Sequence, residues 1–334
     1  MTDAHPRPPG ATWLITGRLH DIAIQVSGDH PDLRRRTEEF LGQLAPGAGG
    51  GSVDCLRFSL AYLDDEADRP RLFGTRALVQ FVNVTCVQDG AWSIFGAKDG
   101  SFLRADARAG RAWGRVSRVL LGGRPYPFND LLMAPLMEML KERGLYGLHA
   151  AALTRQGRGY LFPGDADSGK TTIALGLVRR GFGYLADDKV LLRQEDGGVA
   201  ALAFTHCFNI DPAISRFYPE IAPLESLPPL PGTVKRPFDI SKLYPNTFTP
   251  RCRPSVVMHV QPSPGGTSRI APLSPTASFM RLTRQTILAS QRERAATQLR
   301  LLGDLVASVD NYLVENGRDL DGSPEQLLEL VSRL

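Results

Sequence analysis

Residues 159–181 read GYLFPGDADSGKTTIALGLVRRG, and this stretch leaves its part of the chain few ways to fold. GYLFPG (159–164) is a short apolar strand running into a glycine turn. KTTIALGLVRRG (170–181) has the make-up of a helix of about three turns, closed by Gly181. YLADD (184–188) follows as a second short strand, and VLLRQEDG (190–197) continues or pairs with it. Strand, loop, helix and strand in that order make the βαβ unit of a parallel or mixed sheet. The second half of the chain is therefore expected to be α/β.

The loop between the first strand and the helix meets the pattern G-x-x-x-x-G-K-[ST] at Gly164, Gly169, Lys170 and Thr171. Glycines there let the backbone wrap an anion with its N–H groups turned inward, and the helix aims its positive end at the same point. The segment Gly164, Asp165, Ala166, Asp167, Ser168, Gly169, Lys170, Thr171 and Thr172 is thus expected to cradle the phosphates of ATP. Lys170 would reach the β- and γ-phosphates, and the Thr171 hydroxyl would bind Mg²⁺. A glycine-rich β–α turn that binds nothing is the competing reading. Two carboxylates, Asp165 and Asp167, sit oddly in an anion-holding loop. Asp187 and Asp188 follow Lys170 by 17 and 18 residues. In a right-handed βαβ unit the second strand runs parallel to the first, so its C-terminal end lies beside the loop. One of the pair could then hold Mg²⁺, and the other could take a proton from an attacking hydroxyl. Alternatively, Asp-Asp-Lys only turns the chain.

The rest of the chain adds architecture and no further motif. The first ten residues are polar and Pro-rich and are expected to be disordered. Residues 12–28 read as a hairpin and 31–44 as a helix; strand-like runs follow at 55–63, 77–87, 91–97 and 101–108. A small α+β accessory domain rich in antiparallel strands is therefore expected over 11–125, and the α/β domain over 126–334. The latter would open with a helix at 130–144, kinked or started late by Pro135. Residues 212–254 hold ten of the 25 prolines; within them 218–238 is not expected to be regular, and the whole is a candidate lid or acceptor-recognition loop. SVVMHV (255–260) reads as a strand, 276–315 as two helices broken at Gly303, and 323–334 as a terminal helix.

Net charge is +4 with a pI near 8.9, short of a dedicated nucleic-acid binder. Cys55, Cys86, Cys207 and Cys252 are scattered, with no metal or disulfide spacing. No secretory signal or apolar membrane span is visible, so a cytoplasmic protein with reduced thiols is expected.

GLHAAAL (147–153) and the long run LFPGDADSGKTTIALGLVRRGFGYLADDKVLL together resemble the catalytic domain of HPr kinase/phosphorylase. In that family a His precedes the strand, a G-D-S-x-x-G-K-[ST] loop follows, and a helix ending in R-G leads to an A-D-D strand. SGKTT is also similar to ATP-dependent phosphoenolpyruvate carboxykinase, which shares the fold. About 45 residues match closely and 145–315 loosely. The resemblance implies a P-loop core with a mixed sheet and a helical C-terminus. It makes Asp187 the general base, Asp188 the metal-side carboxylate and His149 a residue near the transferred phosphate. It also implies an Arg beyond the next strands. Arg236 is the first choice, Arg251 and Arg253 are alternatives, and Lys235 is a substitute.

The loop departs from the family at Asp167, where Gly is usual; if that position needs φ > 0, Asp is among the few tolerable replacements. The HPr-docking region and the regulatory domain are not recognisable, which argues against HPr as acceptor. The expected function is ATP- and Mg²⁺-dependent transfer to a Ser or Thr hydroxyl of a peptide or protein. A ribosomally made precursor, as in lasso-precursor kinases, is the leading specific case, with the N-terminal strands binding peptide or merely supporting the core. A small-molecule alcohol kinase and a non-transferring switch NTPase stand as alternatives, and a carboxykinase-like activity ranks behind them. Relatives of HPr kinase are often hexamers, so the resemblance also implies a homo-oligomer.

Overall fold

The computed structural model describes residues 10–46, 54–63, 79–80, 83–123, 125–230, 234–317, 319, 326 and 329. The expected disorder of the first ten residues and the terminal helix over 323–334 lie almost wholly outside them. The chain divides into two compact units, 1–143 and 144–334.

The first unit is an eight-stranded sheet in the order β1-β2-β3-β8-β7-β6-β5-β4. Its strands are β1 (Trp13–Leu19), β2 (Ile22–Gly28), β3 (Asp54–Leu63), β4 (Val79–Gln80), β5 (Val84–Asp89), β6 (Trp92–Ala97), β7 (Phe102–Asp106) and β8 (Arg111–Ser117). The 12–28 hairpin is present as β1 and β2. The unit is less uniformly antiparallel than expected, because β3 runs parallel to both β2 and β8. Helix α1 (Pro31–Leu41) supplies the crossover that a parallel β2–β3 connection needs. Helices α2 (Arg118–Gly122) and α3 (Pro125–Glu142) close the unit.

Helix α3 moves the expected boundary. It packs on β5, β6 and β7, so it belongs to the first unit, and the division falls at 143/144 rather than 125/126. Pro135 lies inside it without ending it.

The second unit is a nine-stranded mixed sheet. Its strands are β9 (Tyr146–Arg155), β10 (Arg158–Pro163), β11 (Gly183–Ala186), β12 (Lys189–Glu195), β13 (Gly198–Ala203), β16 (Arg251–Cys252), β17 (Pro254–Pro262), β18 (Arg269–Pro272) and β19 (Asp310–Asn316). The order is β16-β13-β12-β9-β10-β17-β19-β18, and β11 also pairs with β9. Two short strands, β14 (Phe208–Ile210) and β15 (Arg236–Phe238), pair apart from it.

Strand periodicity sorts the helices onto two faces. Met258 and Val260 point into the same core as helix α4 (Lys170–Arg179), whereas His259, between them, bonds to Ser278 of helix α5 (Pro275–Thr283). Helix α6 (Arg292–Ala307) lies against α5, β12 and β13. The Pro-rich segment covers α4 with buried Tyr218, Ile221 and Leu224. It is more ordered than its prolines suggest: 3₁₀ turns span Pro212–Arg216 and Pro219–Ser226, and β15 follows.

The helical tract over 276–315 is also corrected. Gly303 sits inside α6; the break falls between α5 and α6, and the last residues form β19 rather than helix. Among the described residues, no helix is long and apolar enough to cross a membrane.

Candidate functional site

The strand β10 ends at Pro163, and α4 begins at Lys170, so residues 164–169 form a tight loop at the C-terminal end of a central strand. Gly164 is the one residue type that fits where it lies, because a Cβ there would come 2.5 Å from the Val260 carbonyl oxygen of β17. Gly169 caps α4 at φ +98° with no side-chain cap. The first intrahelical bond runs from Ile173 N–H to Gly169 O, which leaves the amides of Lys170, Thr171 and Thr172 in the unpaired first turn. Ser168 is buried, and its hydroxyl has no partner among the described residues. Free amides at a helix N-terminus, with an unpartnered hydroxyl beside them, suit a phosphate chain.

Lys170 is buried, and its ammonium donates to the carbonyl oxygens of Gly164 and Asp165, both at 2.7 Å. Burial lowers its pKa, Lys235 lowers it further, and Asp188, Asp187 and Asp165 pull the other way. Ala166 and Asp167 form the exposed tip. Asp167 has φ +59°, the left-handed conformation in which Asp is among the few residues that can replace Gly. Its carboxylate is 2.9 Å from the Lys235 ammonium, which pulls its pKa down. Asp165 accepts a hydrogen bond from the Gln285 amide at 2.7 Å.

Asp187 and Asp188 interrupt one long strand. Both β11 and β12 pair antiparallel with β9, and the two carboxylates fall in the break between them. Because β9 is itself antiparallel to β10, β11 runs in the same direction as β10, as the βαβ reading requires. The two are not neighbours; β9 lies between them.

Asp187 still reaches the loop. The Thr171 hydroxyl donates to its carboxylate at 3.3 Å and the Asn209 amide does so at 2.8 Å. Burial and the Asp188 charge push the Asp187 pKa up to about 7, against the two hydrogen bonds. His149 Nδ1 lies 3.2 Å from an Asp188 oxygen. Burial lowers the His149 pKa more than Asp188 raises it.

The arginines proposed to complete the site are elsewhere. Arg236 donates to the carbonyls of Leu227 and Val234 and so braces its own segment. Arg251 pairs with Glu195, and Arg253 bonds the Asp196 carbonyl. Lys235 is the cation that the structure brings to the loop. Two other residues at the loop carried no signal in the sequence. Gln285 bonds Asp165 through its side chain and takes the His149 N–H on its carbonyl. Asn316, at the end of β19, donates to the Ser168 carbonyl at 3.3 Å. Both lie more than a hundred residues from the loop, and only the fold brings them there.

Mg²⁺ usually takes one or two carboxylates together with substrate phosphates, not a dedicated protein cage. Thr171, bonded to Asp187 at the loop, and Asp188 next to it in sequence are a donor set of that size; among the described residues no group of three or more His, Cys, Asp and Glu could hold a metal ion by itself.

No family model matches the chain, and no curated protein does. Among solved structures it is similar to the Hpr(Ser) kinase/phosphatase from Coxiella burnetii, at 17% identity and a TM-score of 0.34. The match covers 56% of this chain and 88% of that one. A likeness of that order says nothing about chemistry, which rests on the loop, its lysine and the buried carboxylate.

Proposed function

We propose that this protein is an ATP- and Mg²⁺-dependent phosphotransferase whose acceptor is a hydroxyl, with a Ser or Thr of a peptide or protein as the leading candidate. The observation that carries the reading is Asp187: a buried carboxyl held against Thr171 of the loop, with its pKa raised to about 7. A switch NTPase needs a metal-side acid. A carboxyl poised near neutrality is what a general base for an incoming hydroxyl needs.

The residues then divide the work. The first-turn amides of α4 and the Lys170 ammonium bind and orient the phosphates. Lys235, held at the loop by Asp167, brings a second ammonium. Thr171 and Asp188 would hold Mg²⁺, which when bound neutralises charge on the phosphate oxygens. His149 Nδ1, 3.2 Å from the Asp188 carboxylate, helps to position it. Asp187 takes the proton of the acceptor hydroxyl. Transfer of this kind is mostly positioning and charge stabilisation, so these few groups suffice.

Incubation with γ-labelled ATP, Mg²⁺ and candidate Ser- and Thr-containing peptides, followed by mass identification of the product, tests the reading. Asp187→Asn should retain ATP binding and lose roughly 10²–10⁴ in rate, and Lys170→Ala should lose both. Labelled inorganic phosphate with no labelled acceptor would favour the switch NTPase. Normal turnover by Asp187→Asn would remove Asp187 as the base.

A further inference from the structure

A cleft of about 500 Å³ opens from the start of the phosphate loop on the α5 side of the sheet. It is lined by Gly164 and Asp165 of the loop, Gln261 of β17, Met280 and Arg281 of α5, and Arg284 at that helix's C-terminal end. We propose that this cleft receives an anionic group, a carboxylate, of the hydroxyl acceptor. The proposal rests on the kinase reading above and names the substrate class of that site.

Position argues for the acceptor over the nucleotide base. Lys170, the residue that reaches the terminal phosphates, touches the carbonyls of Gly164 and Asp165. The terminal phosphate therefore lies at this end of the loop, and the cleft begins at the same two residues. Gln285 ties the cleft to the carboxylate pair: its side chain bonds Asp165 and its carbonyl takes the His149 N–H, while His149 meets Asp188. A molecule seated in the cleft is thus next to the transferring end.

Charge argues for the anion. Two guanidiniums line the cleft against one carboxylate, Asp165, which is engaged by Gln285. Arg281 is half-buried and oriented by a hydrogen bond to Gln261 Oε1 at 3.2 Å. Arg284 is exposed, one helical turn or less further on. Guanidinium forks suit a carboxylate. His259 also lines the cleft but brings no charge. Burial and Arg281 push its pKa down to about 4, and its Nε2 shares a 2.7 Å hydrogen bond with Ser278 that pins α5 to β17.

Two acidic probes distinguish a peptide source from a small molecule: the peptide Glu-Glu-Ser-Glu-Glu against Gln-Gln-Ser-Gln-Gln, and glycerate against glycerol. Each is titrated calorimetrically into the full chain without nucleotide. At least one acidic probe should bind about tenfold or more tighter than its neutral counterpart, and the Arg281→Gln/Arg284→Gln variant should lose that margin. Met280→Glu, at a position 61% exposed, leaves the core untouched and should weaken the same probe by charge repulsion. The proposal is overturned if neither acidic probe is preferred, or if the preference survives in both variants. ATP binding is measured separately. Its absence from the wild type would sink the kinase reading, whereas the carboxylate preference decides the cleft.

Discussion

A buried carboxyl with a raised pKa makes a stability prediction that needs no knowledge of the acceptor. Asp187 titrates near 3.8 in an unfolded chain and near 7 in the folded one. Between those values the folded state holds a proton that the unfolded state has released, so stability falls as pH rises through the window. Below about 4 both states are protonated, and above about 7 both are ionised; outside the window this group adds no slope. Inside it the slope approaches 1.4 kcal/mol per pH unit, up to about 4 kcal/mol over the window. Asp187→Asn keeps an oxygen to accept from Thr171 and the Asn209 amide but has no charge to bury. The assay is urea denaturation of wild type and Asp187→Asn at half-unit steps of pH across this window, without nucleotide or metal. The difference between the two curves cancels the titrating groups that do not interact with Asp187. Wild type should lose stability relative to the variant as pH rises, with the change ending near pH 7. Parallel curves would refute the placement of Asp187 as a desolvated carboxyl beside Asp188.

Gly164→Ala pushes a Cβ to 2.5 Å from the Val260 carbonyl, so a loss of about 1–3 kcal/mol in a thermal melt is expected, and an unchanged melt would contradict the close approach of loop and β17. At Gly169 a Cβ would collide with Asn316 Nδ2, and the backbone is also left-handed. Asn316→Ala should therefore relieve Gly169→Ala only in part, leaving about 1–2 kcal/mol of backbone strain; complete rescue would show that φ is unimportant there. Asp167→Gly should be more stable than Asp167→Ala by about 1 kcal/mol, since Gly adopts a φ of +59° freely and Ala is strained by its Cβ there, and equal melts would argue against that backbone. Lys235→Ala should reduce phosphate transfer roughly 100-fold, while Arg236→Ala should leave the rate largely alone; the reverse order in a γ-labelled ATP assay would restore the arginine to the site.

What was legible in the sequence was local. The glycine loop, the helix after it and the direction of the YLADD strand all follow from residues within thirty positions of one another. The insertion of β9 between β10 and β11 was not legible, because hairpin pairing at one end of β10 does not say which strand takes its other partner's place. Gly303 was a plausible helix break by propensity. It is overridden because Leu301, Leu302, Leu305 and Val306 bury the turns on either side of it. The true break, 284–291, is imposed from outside: Thr286 donates to the Gly147 carbonyl, and Gln298 of α6 holds Thr286 and Ile287. The first of these contacts joins residues 139 apart, whereas those of Gln298 span 11 and 12.

The choice between Lys235 and Arg236 shows the same limit at single-residue scale. Consecutive residues entering a strand point to opposite sides, so only one of the two can face the loop, and nothing local says which. The structure turns Lys235 to Asp167 and Arg236 to the carbonyls of its own segment. This also answers why an anion-holding loop should carry Asp167. The side chain of Asp167 is 81% exposed, and an ion pair so placed is worth about 0–1 kcal/mol, too little for stability to explain it. Its effect is to hold a second ammonium close enough to Lys170 to lower that group's pKa. Two ammoniums gathered at one loop repel unless an anion lies between them, and a pair this weak can release Lys235 to a phosphate. On the proposed kinase reading, the odd carboxylate would hold the cation that a phosphate takes when it binds.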